Sequence, residues 1–192
     1  MGRTYRLLFS HKNLKIGRNF QCYTFPKILL DKTAKIQIGD NVVLRRNVEI
    51  RAHGNSTLNL GNHCRIDRGV RLLAANNAKL HLGNNVRIGL YSVFNGGDSI
   101  TIGDKTLISG FVYLQTSMHN FQGKTEIQSQ GYAHKPIVLG EDVWIGTHAV
   151  IFPGVLLEKG CVVGSSSIVN KSFESYSVIA GSPAKILKNR EF

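Results

Sequence analysis

The residues best suited to chemistry lie in the run Thr116-Ser-Met-His119, which opens a polar segment of the chain. An imidazole is largely neutral near pH 7 and can accept the proton of an attacking hydroxyl group. His119 is therefore a candidate general base. A lone histidine in such a segment also commonly anchors its own loop, so the residue type leaves both interpretations open.

The cysteines and the other histidines form no recognisable redox or metal motif. Cys22, Cys64 and Cys161 are odd in number and far apart, which fits neither a disulfide framework nor a CxxC zinc motif. No two of the seven histidines are closer than ten residues, whereas the ligands of one zinc site usually include a close pair. The sequence predicts reduced thiols, no metal and a cytoplasmic location.

The charge balance narrows the class of partner. Lys and Arg total 24 against 12 Asp and Glu, a net charge of +12, which favours an anionic partner. The basic residues are scattered, so no nucleic-acid-binding arm is expected. No apolar run approaches the roughly 20 residues of a membrane helix, and the start of the chain lacks the apolar core of a secretion signal. We expect no integral membrane segment, and peripheral contact with the inner membrane face stays open.

A sequence repeat carries the candidate residues. Two apolar residues separated by a variable one, and followed by Gly, recur at spacings of 18 residues plus an insertion. The copies are Leu14-Lys-Ile16-Gly17, Ile36-Gln-Ile38-Gly39, Leu58-Asn-Leu60-Gly61, Leu80-His-Leu82-Gly83, Ile100-Thr-Ile102-Gly103, Ile137-Val-Leu139-Gly140 and a degenerate Val155-Leu-Leu157-Glu158. Within each copy an apolar residue recurs every six residues, which is too sparse for one face of a helix.

The repeat predicts an all-β solenoid in which three short strands make one triangular coil of 18 residues. Adjacent coils would stack at roughly 4.8 Å, the spacing of hydrogen-bonded strands. We expect about seven coils over residues 14–176 of a single domain, 1–192, with a C-terminal cap at 177–192. All three cysteines fall in slots that other coils fill mainly with apolar residues, which predicts interior packing.

The insertions all follow the third hexad of a coil, so they should leave the prism at one corner. The longest spans 115–136 and holds His119. Long loops on a rigid scaffold are often functional. In register, Asn95 should lie one coil below Gln115, which would place an amide near the imidazole at the inserted corner.

These motifs, with Asp142-Val-Trp-Ile-Gly146 and Gly181-Ser-Pro-Ala184, resemble the hexapeptide-repeat acyltransferases. Galactoside and bacterial polysaccharide O-acetyltransferases are the nearest types. The resemblance implies a left-handed parallel β-helix, acetyl-CoA as donor, a sugar hydroxyl as acceptor, and a homotrimer with each site between neighbouring prisms. It also implies that His119 is the general base and that Asn95 contacts the acceptor.

The same resemblance implies where the coenzyme lies. Trp144, Gly146, Thr147 and Ser165 match positions beside the pantetheine arm. Lys171 and Lys185 match basic positions near the nucleotide phosphates, with Lys188 a lesser candidate. Trp144 stands between two inward positions, so its ring should point outward, as an interface residue or as a ligand wall.

Three alternatives stay open. N-acylation of a nucleotide-linked amino sugar uses the same fold, donor and base, although such enzymes often carry an extra N-terminal domain. A γ-class carbonic anhydrase needs a cluster of zinc-binding histidines, which the spacing disfavours. A purely structural or ice-binding solenoid would show regular outward Thr ladders and no long loop.

Overall fold

The computed structural model describes residues 2–191 as a parallel β-solenoid of about seven turns. Three parallel sheets form the sides of a prism, and each coil contributes one short strand to each sheet. The architecture matches a left-handed β-helix and confirms the predicted fold class.

We name the sides faces A, B and C, in the order in which the chain visits them. Face A comprises Leu14–Ile16, Lys35–Ile38, Thr57–Leu60, Lys79–Leu82, Ile100–Ile102, Ile137–Leu139 and Leu156–Leu157. Face B comprises Gln21–Cys22, Val43–Leu44, Arg65–Ile66, Arg87–Ile88, Leu107–Ile108, Trp144–Ile145, Val162–Val163, Ser177–Gly181 and Ala184–Asn189. Face C comprises Lys27–Leu30, Glu49–Ala52, Arg71–Ala74, Val93–Gly96, Tyr113–Gln115, Val150–Ile151 and Ile168–Val169.

The apolar positions of successive coils lie directly above one another. On face A, for example, Leu58 and Leu60 pair in register with Leu80 and Leu82. Their side chains are buried and belong to one continuous apolar column along the prism. Fully burying a side chain of this size contributes about 1.5–3 kcal/mol. The three cysteines are free thiols within this column, as the repeat predicted.

The corners of the prism require left-handed backbone conformations. Between faces B and C, Tyr91, Phe111 and His148 have φ values of 53°, 59° and 60°, which are unusual for bulky side chains. Their rings stack along the corner, with centroids 5.6 Å apart for the first pair and 4.9 Å for the second. Ring stacking thus offsets part of the cost of the backbone conformation.

The two ends of the solenoid depart from the three-stranded coil. A short helix α1, Gly2–Phe9, covers the first coil, and its Tyr5 ring packs 4.5 Å from Phe9 and 5.4 Å from Phe25 between centroids. This helix was not predicted from the repeat. At the other end, Ser177–Gly181 extends face B in parallel, and Ala184–Asn189 returns antiparallel to it.

Each insertion lies between face C and face A, at the corner that the hexad count predicted. The longest forms an antiparallel hairpin of Ser117–His119 and Tyr132–His134, with a short 3₁₀ helix, Ile127–Gln130, near its tip. No helix within residues 2–191 is long and apolar enough to cross a bilayer.

On face C, one acidic side chain is surrounded by three basic side chains. Glu49 stands between Lys27 and Arg71 in the strand register and forms ion pairs with both, at 3.4 Å and 3.2 Å, and with Arg51. The hydrogen bond from Arg51 is the main reason that the pKa of Glu49 falls to about 2, against the opposing effect of burial. One carboxylate thus serves three basic side chains.

Substitution of Gly61 by Ala should destabilise the solenoid. A Cβ at Gly61 would collide with the Gly83 carbonyl of the next coil, so two coils must separate at a cost of about 1–3 kcal/mol. Urea denaturation measures the loss. Gln37→Ala, an exposed position on the same face, should change stability by less than about 0.5 kcal/mol. Equal stability of the two variants would contradict this account of coil spacing.

Removal of the Glu49 carboxylate should have a pH-dependent effect. A carboxylate with a lowered pKa stabilises the fold above its unfolded pKa of about 4.3, and this contribution is lost as the pH falls towards about 2. Glu49→Gln should therefore be less stable than the unaltered protein near neutral pH, and the difference should vanish by about pH 2. Denaturation at several pH values tests this. The exposed Glu126→Gln serves as the control, and a difference that is independent of pH would refute the ion-pair explanation.

Candidate functional site

The hairpin at the inserted corner presents His119 to solvent. His119 lies opposite Tyr132 in the antiparallel register, and the two ring centroids are 4.1 Å apart. This contact fixes one side of the imidazole and leaves the rest of the ring accessible. The arrangement suits a side chain that must meet a substrate.

A second imidazole, which the sequence analysis did not single out, lies on the same face of the hairpin. His134 pairs with Ser117 in the register, and its Nδ1 is 2.8 Å from the Ser117 Oγ. Gly97 makes room for this pair, because a Cβ there would collide with the Ser117 Oγ. The sequence does not give the register of the hairpin, so it could not show that His134 and His119 lie on the same face.

Hydrogen bonds tie the root of the hairpin to the solenoid. Thr116 is buried, and its backbone N and Oγ1 donate to the carbonyl of Asn95 at 3.2 Å and 2.9 Å. Asn95 pairs with Gln115 in adjacent strands, as predicted. The Asn95 side-chain amide donates to the Tyr113 hydroxyl at 3.2 Å. These hydrogen bonds fix the start of the strand that carries His119 to the solenoid.

The residues expected near the coenzyme form a second group, on face B and its corner with face C. Trp144 points outward, 49% exposed, and its Nε1 donates to the Ser109 Oγ at 3.3 Å. Beside it, Gly146 belongs to a strip of small residues, and a Cβ at Gly146 would lie 2.6 Å from the backbone N of Ser165. Ser165 is exposed, and Thr147 donates from its Oγ1 to the Gly110 carbonyl at 2.7 Å.

The two candidate lysines lie apart. Lys185 is on the edge strand of face B, paired with Ala180, and is exposed. Lys171 lies between faces C and A, where its Nζ is 5.4 Å from the centroid of Phe173. Lys171 is therefore at the same corner as His119 and Asn95, and Lys185 shares a sheet with Trp144.

The candidate residues thus fall into two groups on opposite sides of the prism. The corner between faces C and A lies across the buried apolar column from face B. A single chain does not bring His119 to Trp144. Any site that uses both groups needs two copies of the chain.

The cysteines are not available as nucleophiles. Burial raises the pKa of the Cys64 thiol to about 11, and it also raises the pKa values of Cys22 and Cys161. Thiols with raised pKa values stay protonated near pH 7 and react poorly. Within residues 2–191, no group of three or more His, Cys, Asp or Glu side chains is arranged to hold a metal ion.

Comparisons with known proteins agree with this architecture. Residues 136–171 match the family model described as the hexapeptide repeat of succinyl-transferase. The galactoside O-acetyltransferase of Escherichia coli is 37% identical over 90 residues, which is 47% of this chain and 44% of that protein. The putative lipopolysaccharide biosynthesis O-acetyl transferase WbbJ of Escherichia coli is 34% identical over 99 residues, covering 47% of this chain and 50% of that protein. The chain therefore spans half or less of the length of these two curated relatives.

A solved structure extends the likeness over most of the chain. A variant of AntD, an N-acyltransferase from Bacillus cereus in complex with dTDP-4-amino-4,6-dideoxyglucose and coenzyme A, superposes with a TM-score of 0.66 at 23% identity. The superposition covers 92% of this chain and 84% of that one. At this identity the likeness establishes the fold. The hexapeptide-repeat resemblance predicted from the sequence is confirmed.

Proposed function

We propose that this hexapeptide-repeat protein transfers an acetyl group from acetyl-CoA to a hydroxyl of a sugar or polysaccharide precursor, with His119 as general base. The observation that carries the proposal is the exposed His119 on a hairpin anchored at the inserted corner. The sequence relatives named as O-acetyltransferases favour a hydroxyl acceptor over an amine.

The chemistry follows from the chain's own groups. A neutral imidazole at His119 takes the proton of the sugar hydroxyl while its oxygen attacks the thioester carbonyl carbon. A C–O bond forms, the C–S bond breaks, and the proton passes to the coenzyme A thiolate. General-base help of this kind is worth about 10²–10⁴-fold in rate. No covalent enzyme intermediate is needed, in keeping with the buried, protonated cysteines.

The coenzyme would lie on face B. Trp144 would supply an aromatic wall, and the small residues Gly146, Thr147 and Ser165 beside it would leave room for a narrow pantetheine arm. Lys185 lies on the same sheet and suits a phosphate of the nucleotide. Lys171 would reach the phosphates from a neighbouring copy, and Asn95 would contact the acceptor. The free thiols suit a reducing compartment, so we place the reaction in the cytoplasm.

The assembly would be a homotrimer in which each cleft joins the inserted corner of one copy to face B of the next. The two separated groups of candidate residues support this arrangement. Three copies in a closed ring give three equivalent clefts, because a head-to-tail interface closes under threefold symmetry.

Loss of the His119 imidazole should reduce acetyl transfer. We expect His119→Ala to lower kcat about 10²–10⁴-fold, with little change in the KM for acetyl-CoA. Release of coenzyme A thiol is followed with a panel of neutral sugars, acidic sugars and amino sugars. His134→Ala is the matched control, because it removes an imidazole from the same face of the hairpin.

Two outcomes would reverse the assignment of the base. Full activity of His119→Ala would exclude His119, and a comparable loss in His134→Ala alone would transfer the role to His134. Acetylation of amino sugars without any acetylation of hydroxyls would replace the proposed reaction with N-acylation.

The shared cleft predicts complementation between inactive variants. When His119→Ala and Trp144→Ala chains are co-expressed, about a quarter of the clefts in randomly mixed trimers would contain both native side chains. Activity at low acetyl-CoA should therefore exceed that of either variant. Co-expression of His119→Ala with Asn95→Ala is the control, because both residues would come from the same copy and no cleft regains both. Absence of any gain with Trp144→Ala would exclude the shared cleft.

A further inference from the structure

Face B carries a group of exposed arginines on its N-terminal coils. Arg65 and Arg87 occupy adjacent strands in direct register, and both are exposed. Among residues 2–191, neither guanidinium has a hydrogen bond or an ion pair with an acidic side chain. Arg45 follows on the coil below, where Asp67 is its acidic neighbour at 3.9 Å. Like charges placed directly opposite across strands destabilise a sheet.

Several basic residues elsewhere on the prism have an acidic partner. Glu49 compensates the Arg and Lys side chains of face C, Asp40 holds Arg18 at 2.8 Å, and Glu141 holds Lys159 at 3.2 Å. Within residues 2–191, Arg65 and Arg87 have no such partner, and they face each other in direct register on adjacent strands. Unpaired guanidinium groups in a row attract an anion that can supply the missing charge.

The arginines line a groove rather than a flat surface. A concavity of about 450 Å³ includes Arg45, Arg65 and Arg87 in its walls, with one carboxylate, Asp67, and reaches Leu107 and Ser109. A second concavity of about 390 Å³ shares Arg65 and Arg87. Its other walls are Gln21 and Val43 of face B and polar side chains of the corner between faces A and B, namely Asn19, Asn41, His63 and Asn85.

The chemistry of these walls suits a saccharide. Arginine forks bind carboxylates in bidentate fashion, and the Asn amides can donate to and accept from sugar hydroxyls. Tyr23, 55% exposed in the wall of the larger concavity, offers an aromatic surface, with the Arg45 guanidinium 5.7 Å from its ring centroid. Guanidinium, amide and aromatic groups together match a sugar that carries negative charge.

The groove is continuous with the proposed catalytic surface. Arg87, Leu107 and Trp144 follow one another in register on adjacent strands of face B. Two strand spacings, about 10 Å in all, therefore separate the upper arginine from the tryptophan. A chain bound along the arginines would run towards the cleft that holds the acetyl donor.

We propose that the N-terminal half of face B binds a carboxylate-bearing glycan chain, and that this chain is the acceptor. Its role as acceptor rests on the proposed function, whereas the binding of the glycan does not. Arg65 and Arg87 hold the carboxylates, and the corner amides hold the hydroxyl groups. The groove thereby selects acidic over neutral saccharides.

Binding by the full chain tests the proposal directly. An oligogalacturonate and a dextran oligosaccharide of equal length are titrated into the protein by calorimetry at low and moderate salt. We expect the oligogalacturonate to bind and the dextran to bind at least about tenfold more weakly. The double substitution Arg65→Gln with Arg87→Gln should weaken oligogalacturonate binding about tenfold or more. Lys35→Gln with Lys79→Gln, which removes two exposed charges from face A, should leave it within about twofold.

Equal binding by the arginine variant, or no binding of oligogalacturonate to the unaltered protein, would overturn the proposal. A rise in the KM for acetyl-CoA without any change in glycan binding would assign the arginines to the coenzyme phosphates instead. Binding to anionic lipid vesicles in place of the glycan would also overturn it. Glycan binding without acetyl transfer to any acceptor would support the glycan-binding groove and refute the proposed function, together with the acceptor role that rests on it.

Discussion

The register between coils is the constraint on which the rest of the molecule depends. Backbone N–H groups of the strands donate to carbonyls of neighbouring coils, and the apolar side chains of successive coils lie above one another. A shift of one residue would turn every buried aliphatic side chain outward. Close glycine contacts at the ends of the first six face A strands keep the coils at hydrogen-bonding distance. Insertions are therefore confined to the corner between faces C and A, where they leave the ladder intact.

The same register arranges surface chemistry into columns. Outward side chains at equivalent positions of successive coils become neighbours and form a column. The residue types at those positions therefore decide whether the column is charged, polar or apolar. Glu49 balances its column on face C, whereas the Arg65 and Arg87 column on face B stands without a carboxylate. Trp144 ends that column with an apolar surface. Face B thus has a basic part and an apolar part, although the backbone of the solenoid is the same in both.

Much of this organisation could be predicted from the sequence, because the hexad directly records which residues point inward. The number of coils, the interior cysteines, the inserted corner and the pairing of Asn95 with Gln115 all follow from counting. Helix α1 could not be predicted, since its role comes from packing of Tyr5 against the first coil. The place of His134 beside His119 could not be predicted either, because the contact between His134 and Ser117 depends on the turn inside the hairpin. The roles of the candidate site residues were read from resemblance, and only kinetics can test them.

The two ends of the solenoid differ from its coils in a way that hinders end-to-end stacking of copies into fibres. An open parallel stack is a template onto which another copy could continue the ladder without limit. Helix α1 blocks the first coil, and the reversed strand Ala184–Asn189 replaces the face B ladder at the other end with an antiparallel edge that bears Lys185 and Lys188. Charged, reversed edges discourage further strand addition. Growth along the long axis is thereby disfavoured.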